Sequence, residues 1–152
     1  EDGREASRGK IQIEPFNSLL ALLQNQDQAS RSLGTGDELS DWLAVNRNNF
    51  SAQDLARTAC GAIAEAITGK CGKVDRLILA GGGTLNKTLV DEITQRAGSS
   101  VVNSENLGVS PQYREAIAMS ILGALCQDRI PITLHQVTRV KTAPISGCWV
   151  LP

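Results

Sequence analysis

The sequence predicts an α/β fold, rich in helix and short of strand, with a small, partly parallel sheet. Three observations carry this. The apolar stretch Leu77-Ile78-Leu79-Ala80 runs straight into Gly81-Gly82-Gly83, after which Leu85, Leu89, Ile93 and Ala97 fall on one helical face. The run Ser100-Val101-Val102-Asn103 follows that helix and completes a strand–helix–strand unit, whose strands pair in parallel. Finally, five helical segments surround only these two strands, with a third at most in the tail, and two strands are a poor sheet for covering helices on both faces. The chain therefore reads as the later part of a larger α/β protein.

The elements follow in order. Glu1 to Lys10 is charged and is expected to be mobile, leaving residues 11–152 as one unit. Pro15 opens a first helix through about Gln24, with Phe16, Leu19, Leu20 and Leu23 on one side; proline suits a first turn because its missing N–H has no helical partner there. Gln24 to Ser32 is polar and reads as a loop. Gly34-Thr35-Gly36-Asp37 then caps a second helix that turns Leu39, Trp42, Leu43 and Val45 inward. Ser51 with Asp54 three residues on resembles a capping box. The helix it starts carries Leu55, Ala59, Ala62, Ile63, Ala66 and Ile67 as its apolar stripe and ends near Thr68, at Gly69 and Gly72. A helix from Asn86 to Ala97 follows the glycines, and Pro111 starts a long helix to about Gln127, lined by Ala116, Ile117, Met119, Leu122 and Ala124. The remainder is irregular until the apolar run Cys148-Trp149-Val150-Leu151.

Composition narrows the function. The 152 residues suffice for a real core, but aromatics make up only 3%, so that core must be aliphatic. Net charge is −1, with 15 basic and 16 acidic residues scattered along the length; no basic stripe points to nucleic acid and no cationic amphipathic run points to a membrane surface. No apolar run approaches the roughly 20 residues a spanning helix needs. Cys60, Cys71, Cys126 and Cys148 form no C-x-x-C pair and His135 is the sole histidine, so no metal site is expected. Cys60 and Cys126 lie on apolar helix faces and read as buried, reduced thiols, which with the absence of a signal-like opening predicts a cytoplasmic protein. Trp42 and Trp149 read as core anchors, and His135 as a surface or packing histidine.

The glycine run is the one candidate site. Without β-carbons a ligand can lie flat against the backbone, and the N–H groups of a following helix favour anionic or polar atoms. A bare strand-to-helix turn without a ligand is the competing reading. The run is not a dinucleotide fingerprint, because Asn86 stands where G-x-G-x-x-G needs its third glycine. It is not a P-loop either: the nearest imitation, Gly69-Lys70-Cys71, has Ala64 five residues before Gly69 and no hydroxyl residue after Lys70.

Leu79-Ala80-Gly81-Gly82-Gly83-Thr84-Leu85-Asn86, the following Leu89, and Asn103-Ser104-Glu105-Asn106-Leu107-Gly108-Val109-Ser110-Pro111-Gln112-Tyr113-Arg114-Glu115-Ala116 together resemble the C-terminal half of the anhydro-N-acetylmuramic acid kinases. That family has a Gly-Gly-Gly-x-x-Asn turn, a Leu-Gly loop, and a helix with Glu-Ala in its first turns. Ser32-Leu33-Gly34 resembles the family's Lys-Ser-Leu/Thr-Gly motif, Asp54 opens its helix where the family has Asp, and Val137-Thr138 with Gly147 resembles the family's closing segment. The resemblance runs from about Gly9 to the end. Arg31 in place of the motif's Lys, Arg139 where Gly follows Val-Thr, and a first loop without the usual prolines depart from it and bear on substrate preference and activity.

The resemblance implies the C-terminal lobe of an actin-like sugar-kinase fold, with ATP and an anhydro amino sugar held between two α/β lobes. Family members use ATP, Mg²⁺ and water to open the anhydro bridge and phosphorylate the sugar at O6, giving N-acetylmuramic acid 6-phosphate in cell-wall recycling. It further implies nucleotide contact at Gly81, Gly82, Gly83 and Asn86, and offers Glu115, Ser32 and Gly34 as further candidates. Asn86 could instead cap its helix, Glu115 partner a helix dipole, and Ser32 and Gly34 serve as cap and turn. The family's first phosphate loop and its water-activating Asp lie in segments with no counterpart here: neither Gly-Thr-Ser-Met-Asp-Gly nor Phe-Asp-x-Gly-Pro-Gly-Asn occurs. No catalytic residue is therefore assigned, and the chain alone is expected to be inactive, with the missing lobe as partner and homodimerisation through an exposed apolar face as a further expectation. The alternative is a catalytically silent actin-like lobe acting as an interaction or regulatory module.

Overall fold

The computed structural model describes residues 2–25 and 37–135, with 145 and 147. Its elements are α1 (Arg4–Arg8), α2 (Ile13–Asn25), α3 (Asp37–Asn46), α4 (Ala52–Cys71), β1 (Arg76–Leu79), α5 (Lys87–Arg96), β2 (Ser100–Asn103) and α6 (Arg114–Gln127), with 3-10 turns at Gly82–Leu85 and Ser104–Leu107.

The α4 helix is the spine, and α1, α2 and α5 all pack on it. Its start is set by Ser51, whose hydroxyl accepts from the Asp54 N–H at 3.1 Å and so satisfies one of the first-turn donors. Its alanines let neighbours approach closely: Ala62 and Ala64 are buried, and Ala62 joins Leu19, Trp42 and Leu55 in the core, with Phe16, Leu22, Leu23 and Phe50 around them. Fully burying a side chain such as Leu19 contributes about 1.5–3 kcal/mol. Trp42 anchors α3 on α2, its indole Nε1–H donating to the Pro15 carbonyl at 3.0 Å and to Ser18 Oγ at 3.2 Å.

Residues 2–10, expected to be mobile, are held on this layer. Ala6 is buried. The Lys10 N–H donates to Asp54 Oδ1 at 2.7 Å, Gln12 Nε2 donates to Asp54 Oδ2 at 3.2 Å, and Thr88 Oγ1 donates to the Gly3 carbonyl at 2.8 Å. The bonds to Asp54, from the Lys10 N–H foremost and from Ser51 and Gln12, hold its carboxyl below its ordinary range, because each favours the ionised form. Gly9 permits the crossing: a β-carbon there would stand 2.1 Å from the Gln53 carbonyl oxygen.

A buried ion cluster ties α4 to α5. Glu92, 1% exposed, receives Arg57 on one carboxylate oxygen and Arg96 on the other, and Arg96 Nε also reaches Glu65 Oε2 at 3.2 Å. The pairing on both oxygens is what permits a carboxylate at this depth.

β1 and β2 pair in parallel, Leu77 opposite Val101 and Leu79 opposite Asn103. Several expected boundaries shift. The helix α4 passes through Gly69 and ends at Cys71, where Gly72 takes φ 61°. Pro111 does not start the long helix; the Tyr113 N–H donates to the Ser110 carbonyl in a preceding turn, and α6 begins at Arg114. Of the residues expected to turn inward from α3 only Trp42 is buried; Leu39, Leu43 and Val45 are exposed, and no residue of α6 is buried. Met119 and Ile121 of α6 are 68% and 55% exposed, although the helix is apolar on all sides. Trp149 and Cys148 lie outside the described residues. Among the described residues no helix is long and apolar enough to cross a membrane.

Candidate functional site

Parallel pairing brings the C-terminal ends of β1 and β2 to one edge, so the turns that follow each strand emerge side by side. In parallel α/β sheets this edge is where ligands sit. The glycine run forms the first of these turns. Gly81 takes φ 89°, ψ 178°, a backbone state that a β-carbon disfavours, and so frees the chain to leave the strand. Gly82 and Gly83 open a tight 3-10 turn closed by the Thr84 N–H and hydroxyl, both donating to the Gly81 carbonyl at 3.1 and 2.7 Å. Gly82 and Gly83 belong to this turn, which separates Gly81 from α5, and Leu89 in the first turn of α5 lies beside Gly83. A β-carbon at Gly82 would meet nothing within 4 Å, so the middle glycine faces open space.

Asn86 is the cap of α5: its Oδ1 accepts from the Leu89 N–H at 3.1 Å. Its Nδ2 lies 3.6 Å from the sulfur of Cys60 on α4, which fixes the amide orientation. Burial pushes the Cys60 thiol up, partly offset by the Asn86 amide, so it stays a neutral, buried thiol. Cys126, expected to be buried, is half-exposed.

Glu115 lies in the first turn of α6 with its side chain 85% exposed. The neighbouring Arg114, which the sequence reading did not single out, comes closer to the glycines: its Nη2 and Nε lie 3.7 and 3.8 Å from the point a β-carbon on Gly81 would occupy. Only the fold reveals this, since 33 positions separate the two residues in sequence. The structure thus brings Gly81–Gly83, the Asn86 cap and the start of α6 into one neighbourhood. Arg31, Ser32 and Gly34 lie outside the described residues.

An apolar cavity of about 260 Å³ adjoins the turn, walled by Ile67, Leu77, Leu79, Gly83, Leu89 and Ile93. It is slightly smaller than the roughly 300 Å³ at which ligand clefts begin. Among the described residues no group of three or more His, Cys, Asp or Glu side chains is placed to hold a metal ion, and His135 is exposed.

Comparison of the sequence with known proteins gives a family match over almost the whole chain. A family model described as anhydro-N-acetylmuramic acid kinase covers residues 1–151. The chain is 36% identical over 156 aligned positions to an anhydro-N-acetylmuramic acid kinase of Legionella pneumophila (strain Lens), with 97% of this chain and 42% of the relative covered. Similar matches are the proteins of that name from Vibrio vulnificus, at 30% identity over 91% of this chain and 40% of the relative, and Bordetella pertussis, at 29% over 96% and 41%. The chain spans about two fifths of the length of these curated relatives. That family is one of the actin-like sugar kinases, and the helix-rich layer with its short parallel sheet fits such a lobe. By the match over residues 1–151, the chain belongs to the anhydro-N-acetylmuramic acid kinase family.

Proposed function

We propose that this chain is the C-terminal, nucleotide-binding lobe of an ATP-dependent anhydro-N-acetylmuramic acid kinase, supplying the adenosine side of the ATP cleft. The observation that supports this is the triple-glycine turn at the C-terminal end of β1. Gly82 offers a flat, open backbone surface there, and the apolar cavity behind Gly83 borders it. A purine or ribose can lie against such a surface with no side chain in the way. Asn86 supports the turn as a cap, and Glu115 at the start of α6 is a candidate contact. Ser32 and Gly34 belong to the same proposal as candidate contacts.

ATP and Mg²⁺ are the cofactors of this reading, the metal arriving on the nucleotide phosphates and neutralising charge there. Water would open the anhydrosugar and the product would be N-acetylmuramic acid 6-phosphate. We read the protein as cytoplasmic, where ATP is available and its thiols stay reduced. The rest of the cleft is assigned to a second lobe. Exposed Ile117, Met119 and Ile121 on α6 support a further partner, either that lobe or a second copy of the chain.

The test is a coupled assay of the purified chain with ATP, Mg²⁺ and anhydro-N-acetylmuramic acid. No turnover above a protein-free control is expected, because phosphoryl transfer needs a positioned nucleophile and phosphate clamps acting together. Turnover by this chain alone would mean that the full catalytic set lies within it and would overturn the division between lobes. A chain that binds no ATP at millimolar concentration would favour the silent, interacting lobe instead.

A further inference from the structure

Arg114 has an orientation that the glycine turn alone does not require. Its Nη2 and Nε lie almost equally far from the position of a β-carbon on Gly81, at 3.7 and 3.8 Å, and no other side-chain atom of Arg114 comes within 4 Å of that point. Were the guanidinium lying face-on over Gly81, its central carbon would be at least as close as the two nitrogens. The donor edge formed by Nε–H and Nη2–H therefore points at the Gly81 backbone and the space above it. This is the edge with which arginine grips a carboxylate or phosphate through two parallel hydrogen bonds.

The edge is only weakly engaged. Glu115 Oε1 lies 3.6 Å from Nη2, beyond hydrogen-bond distance, and both side chains are largely exposed, at 53% and 85%. Gly81 presents no side chain that could accept. A two-point donor thus faces a notch without a side chain, at the strand end where an anionic ligand would lie.

We infer that Arg114 is a ligand-binding residue whose Nε/Nη2 edge holds a phosphoryl group of the nucleotide against Gly81, exchanging the loose contact with Glu115 for it. This rests on the proposal that the nucleotide occupies the glycine turn. It adds a residue and a ligand atom class to that site: the phosphate end of the nucleotide, not the base, is read by Arg114. A phosphate oxygen pair satisfies both donors, whereas an adenine edge, which sets a ring nitrogen beside an amino donor, accepts only one of them.

The test uses the isotope-labelled 152-residue chain with two probes, ATP and adenosine, followed by amide shifts at Gly81–Gly83 and the Arg114 Nε–H resonance. Arg114 is exposed enough that its variants should fold, which melting temperatures check. ATP is expected to move both sets of signals, and adenosine only the glycines. Arg114→Ala should weaken ATP by about tenfold, the loss typical of a charge-assisted bond, and leave adenosine unchanged. Arg114→Lys, which keeps the charge but not the two-point edge, should recover only part of that loss. Equal losses for ATP and adenosine in Arg114→Ala, or an unchanged ATP affinity, would overturn the phosphate role while leaving the glycine site standing. Absence of glycine shifts with either probe would remove the site itself, and the role of Arg114 with it.

Discussion

The layer around α4 and the sheet edge with α6 lie in one chain but bury their apolar residues to very different extents. Around α4, Leu19, Leu55 and Ala62 are sealed, and even the polar Thr58 and Glu92 are buried with partners. At the sheet edge, Ile78 of β1 is half exposed, β1 pairs on one side with β2, and α6 buries none of its residues. A helix apolar on every side is built to be surrounded. The first region seals the faces that meet α4, although Leu39, Leu43 and Val45 of α3 stay exposed. The second carries the glycine turn and Arg114, and it has the surface of something that joins a larger body.

Substitutions should divide along that contrast. Leu19→Ala in the sealed layer should lower unfolding free energy by about 3 kcal/mol, through lost burial and the cavity left behind. Ile121→Ala on α6 should change the stability of this chain by no more than about 0.5 kcal/mol. Chemical denaturation of both variants checks this, and equal losses would erase the contrast. Glu92→Ala should cost about 3 kcal/mol, the lower end for breaking a buried pair, because Arg57 and Arg96 keep partial access to water.

A pH series sharpens the boundary of the sealed layer. The Asp54 carboxyl is lowered by its bonds from Lys10, Ser51 and Gln12, so the stability it lends is complete above its ordinary value of 3.8 and is lost as pH falls through the lower folded value. Hydrogen exchange at the Lys10 amide should quicken in that acidic window, while amides in the middle of α4 stay protected. In Asp54→Asn the Lys10 amide should exchange faster at neutral pH already. Unchanged protection of Lys10 in that variant would mean that Asp54 does not hold the segment.

Much of the architecture was legible because it is local. The Ser51 to Asp54 spacing marked a helix start, the run from Leu77 through the glycines marked strand and turn, and Ser100 to Asn103 after an intervening helix marked parallel pairing. What depends on distant partners was not. The opening residues are held by Asp54, Thr88 and the close pass of Gly9 over Gln53, contacts of 44 positions and more in sequence that no charge pattern reveals. The extension of α4 through Gly69 reflects how little one glycine costs within a long helix, about 1 kcal/mol. In the site, the glycines and the Asn86 cap could be read from their spacing, whereas Arg114 could not, because only the fold brings its guanidinium to Gly81 across 33 positions of sequence.

The central claim is that the exposed glycine turn is a nucleotide surface and not merely a bend in the chain. Gly82 isolates that question: unlike Gly81 at φ 89°, it takes no positive φ, and a β-carbon there meets nothing within 4 Å. Gly82→Val should therefore shift the melting temperature by only a few degrees, corresponding to less than about 1 kcal/mol. Calorimetric titration of ATP into wild-type and Gly82→Val protein, with melting measured in parallel, should show weak binding to the first and none to the second. An unchanged ATP affinity in a stably folded Gly82→Val protein would contradict the nucleotide role and leave the glycine run as a structural turn.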